Sequence, residues 1–297
     1  MARDHSTSRS DLILGFPGYA DPARRLAQAA GLPFAELEIH RFPDGESRVR
    51  LPQPLPSRVL FYCSLDHPNP KLLELALAAV AAREQGAGTI TLVAPYLCYM
   101  RQDKAFHAGE AVSQHIVGGL LAQWFDEVLT VDPHLHRVHD LSQAVPARRA
   151  VALSATNPIA DFLAQGCDNP LLIGPDEESE QWVASVAARQ GLDYRVGRKQ
   201  RLGDAQVEIS LPPAGYAGRN LVLLDDMAST GRTLETAARV LGAQAPASIS
   251  VVVTHALFVN DALERLKGAG VGQIWSTDSI PHPTNAIPLA PLLAEAL

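Results

Sequence analysis

The chain has 297 residues, of which 47% are hydrophobic and 19% charged, with a net charge of −7 from 25 basic and 32 acidic side chains. That length is long for one domain and comfortable for two, and it buries roughly three quarters of the unfolded surface. The negative balance excludes a general nucleic-acid binder, which carries a basic face, but leaves room for phosphate ligands held by a few local cations and backbone amides.

Taken in order, Met1 to Ser10 is polar and has no apolar signal core, and no later run is long enough to span a membrane, so a reducing cytoplasm is expected. Strands are predicted at Leu12–Gly15, Val59–Ser64, Thr89–Ala94 and Glu127–Val131. Helices are predicted between them. One covers Pro70–Gln85, with Leu72, Leu73, Ala76, Leu77, Val80 and Ala81 on its apolar face, and ends at Gly86 and Gly88. Another covers Ala111–Gln123. Pro52, Pro54 and Pro56 read as an edge connection. The pattern then repeats: helix Asn157–Gln165, strand Leu171–Gly174, helix Glu178–Gln190, strand Leu221–Leu224, helix Leu234–Gly242 and strand Ser248–Thr254. Alternating strands and helices imply right-handed crossovers and mostly parallel sheets. The expected fold class is α/β, with two similar halves over residues 1–146 and 147–297 and a junction near Ala144 to Ser154. Cys63, Cys98 and Cys167 form neither a disulfide framework nor a zinc pattern, and the first two read as buried thiols. His134, His136 and His139 suggest a metal cluster at first sight, but no further ligand pattern supports zinc.

The segment Leu221 to Leu234 is the most informative. Four apolar residues lead into adjacent carboxylates, Asp225 and Asp226, then into Met227-Ala228-Ser229-Thr230-Gly231-Arg232-Thr233 and a helix start. In parallel sheets ligands bind beyond the carboxyl ends of strands. Ser229, Thr230, Gly231 and Thr233 offer hydroxyls and close backbone approach, and helix N-terminal amides suit a phosphate monoester. The carboxylates can accept from sugar hydroxyls or hold hydrated Mg²⁺. An ordinary capped βα turn explains the hydroxyls but not two successive aspartates.

This loop resembles the phosphoribosyl-pyrophosphate loop shared by type I phosphoribosyltransferases and ribose-phosphate pyrophosphokinases. Five further blocks resemble the second family: Arg41-Phe-Pro-Asp-Gly-Glu46, Pro95 to Lys104 with Arg101-Gln102-Asp103, Thr130-Val-Asp-Pro-His134, Gly174-Pro-Asp176 and Lys199-Gln-Arg201. The resemblance implies two phosphoribosyltransferase-like domains. It also implies transfer of the β,γ-diphosphoryl group of ATP to the C1 hydroxyl of ribose 5-phosphate, with Mg²⁺ as cofactor. Phe42, Asp44, Glu46, Arg101, Gln102, Asp103 and His134 would serve ATP, and Phe42, Asp44 and Glu46 would do so in a neighbouring subunit, hence a homodimer or larger homo-oligomer. Asp225, Asp226, Ser229, Thr230, Gly231, Arg232 and Thr233 would bind ribose 5-phosphate. His134 and Asp176 would hold the metal, and Lys199 and Arg201 would stabilise charge on the transferred group. The rivals are a phosphoribosyltransferase consuming the activated sugar, a non-catalytic regulatory homologue, and a diphosphokinase acting on another pentose phosphate.

Two departures stand out: Ser229 and Arg232 replace an aspartate and a glycine found in many members. The loop Lys104-Ala-Phe-His107-Ala-Gly109-Glu110, and a chain that stops at Leu297 without the serine-containing tail, look like the archaeal-type branch. We therefore expect activity without phosphate activation and only weak inhibition by ADP at any separate site. Steady-state rates measured with and without inorganic phosphate check this, and strong activation contradicts it.

Overall fold

A computed structural model describes residues 11–135, 138, 140–201, 207–213 and 215–297, excepting the side chains of 199–201, 207 and 208. The chain forms two units: residues up to Leu153 with Ala290–Leu297, and Ser154–Leu289.

The first unit begins with β1 (Leu12–Gly15), α1 (Ala20–Ala30), β2 (Phe34–Glu36), β3 (Glu38–Arg41), β4 (Ser47–Arg50), β5 (Arg58–Tyr62) and α2 (Pro68–Glu84). It continues with β6 (Thr89–Val93), α3 (Ser113–Trp124), β7 (Glu127–Val131), α4 (Leu141–Ala144) and β8 (Arg149–Leu153). Six strands form one parallel sheet in the order β2-β1-β5-β6-β7-β8, and β3 and β4 form a separate antiparallel hairpin. β8 pairs with β7, which carries the unit to Leu153, past the expected division at 146/147.

The second unit contains α5 (Thr156–Gly166), β9 (Leu171–Gly174), α6 (Glu180–Gln190), β10 (Tyr194–Val196), β11 (Arg198–Arg201) and β12 (Val207–Ser210). β13 (Asn220–Ala228), α7 (Arg232–Gly242), β14 (Ser248–Ala256), α8 (Ala262–Gly268), β15 (Gln273–Thr277) and β16 (Asn285–Ile287) follow. The last helix, α9 (Ala290–Ala294), returns to the first unit and packs on α1. The second sheet runs β10-β9-β13-β14-β15-β16, with β11 and β12 as its antiparallel hairpin, so it repeats the topology of the first. These are the two similar α/β halves that the alternation of elements predicts.

The central strands are buried on both faces, as parallel sheets flanked by helices require. Val59, Leu60, Phe61, Ile90, Leu92, Val128 and Leu129 are fully buried in one unit, and Leu172, Ile173, Leu223, Leu224, Val251, Val252 and Val253 in the other. Helix α2 behaves differently from expectation. It starts with Pro68 and Pro70, which cost no hydrogen bond in a first turn, but buries Leu75, Ala78, Ala79 and Ala82. Leu73, Leu77 and Val80, expected in the core, are exposed. The helix is apolar nearly all round, so periodicity does not choose a face. The small face lets it approach its own unit closely, and the branched face is left outward.

The β3–β4 hairpin is fastened to α2 through a buried carboxylate. Glu74 is 1% exposed. It accepts from Arg41 Nε at 2.8 Å and Nη2 at 3.2 Å, and from Ser47 Oγ at 3.0 Å. These two residues flank the turn Phe42–Glu46, so one carboxylate clamps both strands at its base. Arg41→Ala would leave this buried anion with only the serine. We expect a loss of about 2 kcal/mol, below the value for a fully buried pair because Arg41 is largely exposed. Urea unfolding of parent and variant at pH 7.5 measures this.

Candidate active site

In the first unit the predicted residues stand in two places. Phe42, Asp44 and Glu46 form the hairpin turn. The Phe42 N–H donates to Glu46 O at 2.8 Å and the Gly45 N–H to Phe42 O at 2.9 Å, while the Glu46 N–H donates to Asp44 Oδ1 at 3.2 Å. One Asp44 oxygen is thus spent on shaping the turn. The Phe42 ring is 40% exposed and meets His40 edge-on, with centroids 4.6 Å apart. Its open face is available for stacking.

Arg101, Gln102, Asp103 and His134 stand at the carboxyl edge of the neighbouring strands β6 and β7. Arg101 is exposed, and Gln102, Asp103 and His134 are half-buried. The segment bearing Arg101 is tied to the start of α3. Ser113 Oγ donates to Gln102 Oε1 at 3.1 Å, the Gln114 N–H to Gln102 O at 3.2 Å, and Gln114 Nε2 to Met100 O at 3.0 Å. Gln102 is therefore engaged in local structure. His136 and His139 lie outside the described residues, and Cys63 and Cys98 are buried, with burial pushing the Cys98 thiol up to about 12.

In the second unit the predicted residues gather around β9 and β13, which are adjacent. The strand order reverses between them: β9 connects through α6 to β10 on one side, and β13 through α7 to β14 on the other. Such switch points open a crevice at the carboxyl ends of the strands. Asp176 follows β9, is 7% exposed, and opens the 3₁₀ turn Glu177–Ser179, where Ser179 Oγ donates to Asp176 O at 2.6 Å. A side chain at Gly174 would lie 2.6 Å from that hydroxyl, so the turn is tight.

Asp225 and Asp226 do not follow the strand at Leu224 as expected. They lie within β13, which stays paired with β14 as far as Ala228 opposite Ala256. Successive strand residues point to opposite faces, so the two carboxylates diverge from one backbone. Asp225 is half-buried and Asp226 only 3% exposed. Burial, followed by the negative charges of Asp226 and Asp176, holds the Asp225 carboxyl well above the usual carboxylate range. This carboxylate set can accept hydrogen bonds from hydroxyl groups or hold a cation.

Ser229, Thr230 and Gly231 turn the chain into α7, which begins at Arg232, two residues before the predicted start. Gly231 has φ of +69°, which disfavours any side chain. The turn leans on residues absent from the sequence reading. The Val259 N–H donates to Ser229 O at 3.1 Å, and Arg265 Nη2 donates to Thr230 O. Arg265 Nε is 3.1 Å from Glu235 Oε2, and its Nη1 pairs with Asp261. Arg265 lies 35 residues from Thr230, and no local signal reveals the contact. Thr230 and Arg232 are exposed and Ser229 and Thr233 half-buried. Lys199 and Arg201 belong to β11, opposite Ile209 and Val207 of β12, and their side chains lie outside those described. His134 and Asp176, the predicted metal ligands, belong to different units.

The description "N-terminal domain of ribose phosphate pyrophosphokinase" matches residues 13–124, and the phosphoribosyl transferase domain matches residues 153–272. A ribose-phosphate pyrophosphokinase of Methanopyrus kandleri is 36% identical, over 92% of this chain and 94% of its own. That of Methanosarcina acetivorans is 32% identical, over 96% and 98% respectively. The crystal structure of phosphoribosylpyrophosphate synthetase from Mycobacterium smegmatis superposes with a TM-score of 0.82 at 21% identity, covering 97% of both chains; at that identity it bears on the fold alone.

The elevated Asp225 carboxyl yields a test of the carboxylate cluster. A group that binds its proton more tightly folded than unfolded loses stability as pH rises through that range. In a chelator-containing buffer, Asp225→Asn should unfold at a higher temperature than the parent at pH 8. The gap should close towards pH 4, where Asp225 is protonated. Thermal unfolding across that range gives the result.

Proposed function

The chain belongs to the ribose-phosphate pyrophosphokinase family, and we propose that it transfers the β,γ-diphosphoryl group of ATP to the C1 hydroxyl of ribose 5-phosphate, giving phosphoribosyl pyrophosphate and AMP. The observation that carries this reading is the pair Asp225–Asp226 at a switch point, followed by a glycine-turned helix start. The 5-phosphate fits the amides and hydroxyls of Ser229 to Thr233, and the ring hydroxyls fit the two carboxylates. A carboxyl as proton-retentive as Asp225 is well matched to a hydroxyl donor or a cation.

Phosphoryl transfer relies on positioning and charge neutralisation more than on covalent chemistry. Arg101 offers a fork of donors for phosphate oxygens. Phe42 offers a face for adenine, with Glu46 and the remaining Asp44 oxygen as acceptors for its amino group. Lys199 and Arg201 stand on the hairpin β11–β12 as the proposed stabilisers of charge on the transferred group.

We assign Mg²⁺ on chemical grounds, since it keeps several waters and takes one or two carboxylates together with substrate phosphates. Repulsion among Asp176, Asp225 and Asp226 is the observation in favour of a cation. His134 and Asp176 remain its proposed ligands, and bound Mg²⁺ would neutralise charge on the phosphates.

We further propose a homodimer or larger homo-oligomer. It is supported by the apolar face that α2 and α3 expose side by side: Leu73, Leu77, Val80, Ile116 and Leu120. Among the described residues no helix is long and apolar enough to cross a membrane, and a cytoplasmic location is proposed with the metabolic role.

Incubation with ATP, Mg²⁺ and ribose 5-phosphate should release AMP and phosphoribosyl pyrophosphate in equal amounts. Lys199→Ala should lower turnover on the order of 10²-fold or more. Absence of AMP above that variant's background contradicts the synthase reading. Formation of pyrophosphate from phosphoribosyl pyrophosphate and a nucleobase would favour a phosphoribosyltransferase instead.

A further inference from the structure

We infer that Arg265 is a positioning residue for the phosphate-binding turn, setting the direction of its backbone amides without touching the ligand. The inference rests on reading Ser229 to Thr233 as the sugar-phosphate site.

The argument starts from the peptide unit. A trans peptide is planar, and its N–H points opposite to the carbonyl it shares the plane with. Fixing a carbonyl therefore fixes the direction of the next residue's amide. In this turn two successive peptide planes are pinned from one side. The Ser229 carbonyl is held by the Val259 N–H at 3.1 Å, so the Thr230 N–H is turned away from the segment that leads into α8. The Thr230 carbonyl is held by the Arg265 guanidinium on α8 itself, so the Gly231 N–H is turned away from it too. Behind Gly231 stand Ala262 and Leu266, with Ala262 Cβ 3.5 Å from where a glycine side chain would begin. The α8 side is occupied by Ala262, Leu266 and the arginine with its carboxylate partners, and the two amides face away from it.

The guanidinium is itself held still. Its Nε pairs with Glu235 Oε2 at 3.1 Å, its Nη1 with Asp261, and Glu235 also meets Arg239 Nη2 at 3.0 Å. Glu235 belongs to the first turn of α7, where its N–H closes the first helical bond to Gly231 O at 2.8 Å. Arg265 thus links the Thr230 carbonyl, one residue before the N-cap Gly231, to a side chain of the helix's first turn. With two arginines and two carboxylates the cluster is close to neutral, so its contribution is orientation rather than long-range attraction. Freed from Arg265, the Thr230 carbonyl could rotate towards the ligand side and set a lone pair against a phosphate oxygen.

The test uses the full-length enzyme, with steady-state kinetics in both substrates and calorimetric titration with ribose 5-phosphate. Arg265→Ala should raise the KM for ribose 5-phosphate about tenfold, with kcat and the KM for ATP changed less than twofold. Arg265→Lys, which can still donate to Thr230 O, should recover part of the loss. Glu235→Gln, which loosens the guanidinium and leaves the turn intact, should shift the same constant two- to fourfold. Calorimetry should show the matching loss of affinity in each variant. An unchanged ribose 5-phosphate constant in Arg265→Ala, or a parallel rise in both substrate constants across all three variants, overturns the inference alone. A parent enzyme that binds no ribose 5-phosphate overturns the reading of the turn and the inference with it.

Discussion

β13 is paired on one side with β9 and on the other with β14, all parallel, and the rest of the second unit depends on this register. Parallel pairing brings the carboxyl ends of three strands to one edge, where the strand order reverses. The pairing with β14 continues through Ala228, so Asp225 and Asp226 are held by ladder hydrogen bonds rather than by a loop. That rigidity has an electrostatic cost. A carboxyl anchored beside two others, and partly withdrawn from water, resists ionisation, as Asp225 does. A more flexible segment would let the charges separate. Here they stay together, a destabilising arrangement that hydroxyl donors or a cation can relieve.

The same topology appears in the first unit, but its switch point is filled differently. Beyond β1 and β5, Lys71 Nζ lies 3.0 Å from Asp66 Oδ1 and donates to Ser64 O at 3.0 Å, and Tyr19 joins through its hydroxyl. Burial and the neighbouring Asp66 push the Tyr19 hydroxyl far above its ordinary range, so it stays a donor. These groups satisfy one another, while in the second unit the carboxylates repel. Each unit also places a two-stranded hairpin after its second sheet strand: β3–β4 with the turn Phe42–Glu46, and β11–β12 with Lys199 and Arg201. One repeated architecture thus carries two different sets of residue types. One hairpin presents an aromatic ring with acceptors, and the other brings in cationic residue types.

Buried apolar strands and the helices between them are legible because their signals are local. Leu12–Gly15, Leu171–Gly174 and the carboxylate pair need no partner to be recognised. Features settled by distant contacts leave no such local signal. Periodicity does not pick the buried face of α2, because only packing distinguishes Leu75 and Ala78 from Leu73 and Leu77. The apolar run at Leu221–Leu224 is shorter than β13, because the pairing that extends the strand comes from His255 and Ala256. Glu74, whose role depends on Arg41 and Ser47 more than 25 residues away, carries no mark in the sequence. Short edge strands such as β2, β10 and β16 have only three residues each, too few for a pattern. The residues to which the motifs assign chemistry stand out locally, whereas the residues that hold their backbone in place, such as Glu74 and Arg265, do not.

That division bears on the two unusual positions of the turn, Ser229 and Arg232. A side chain that contacts phosphate directly should be hard to replace, because its charge and reach both matter. A backbone amide imposes no such demand on the residue that carries it, provided its peptide plane is fixed. In this turn the planes are fixed through the carbonyls of Ser229 and Thr230, by Val259 and Arg265. The identity at 229 then matters mainly for local charge, and serine in place of aspartate removes one anion from a neighbourhood that already holds three carboxylates. Arg232, exposed in the first helical turn, has no steric reason to be glycine, because the left-handed residue is Gly231. Variation at these two positions is thus compatible with the same ligand class, and the glycine between them, with its pinned neighbour, is where substitution has the least room.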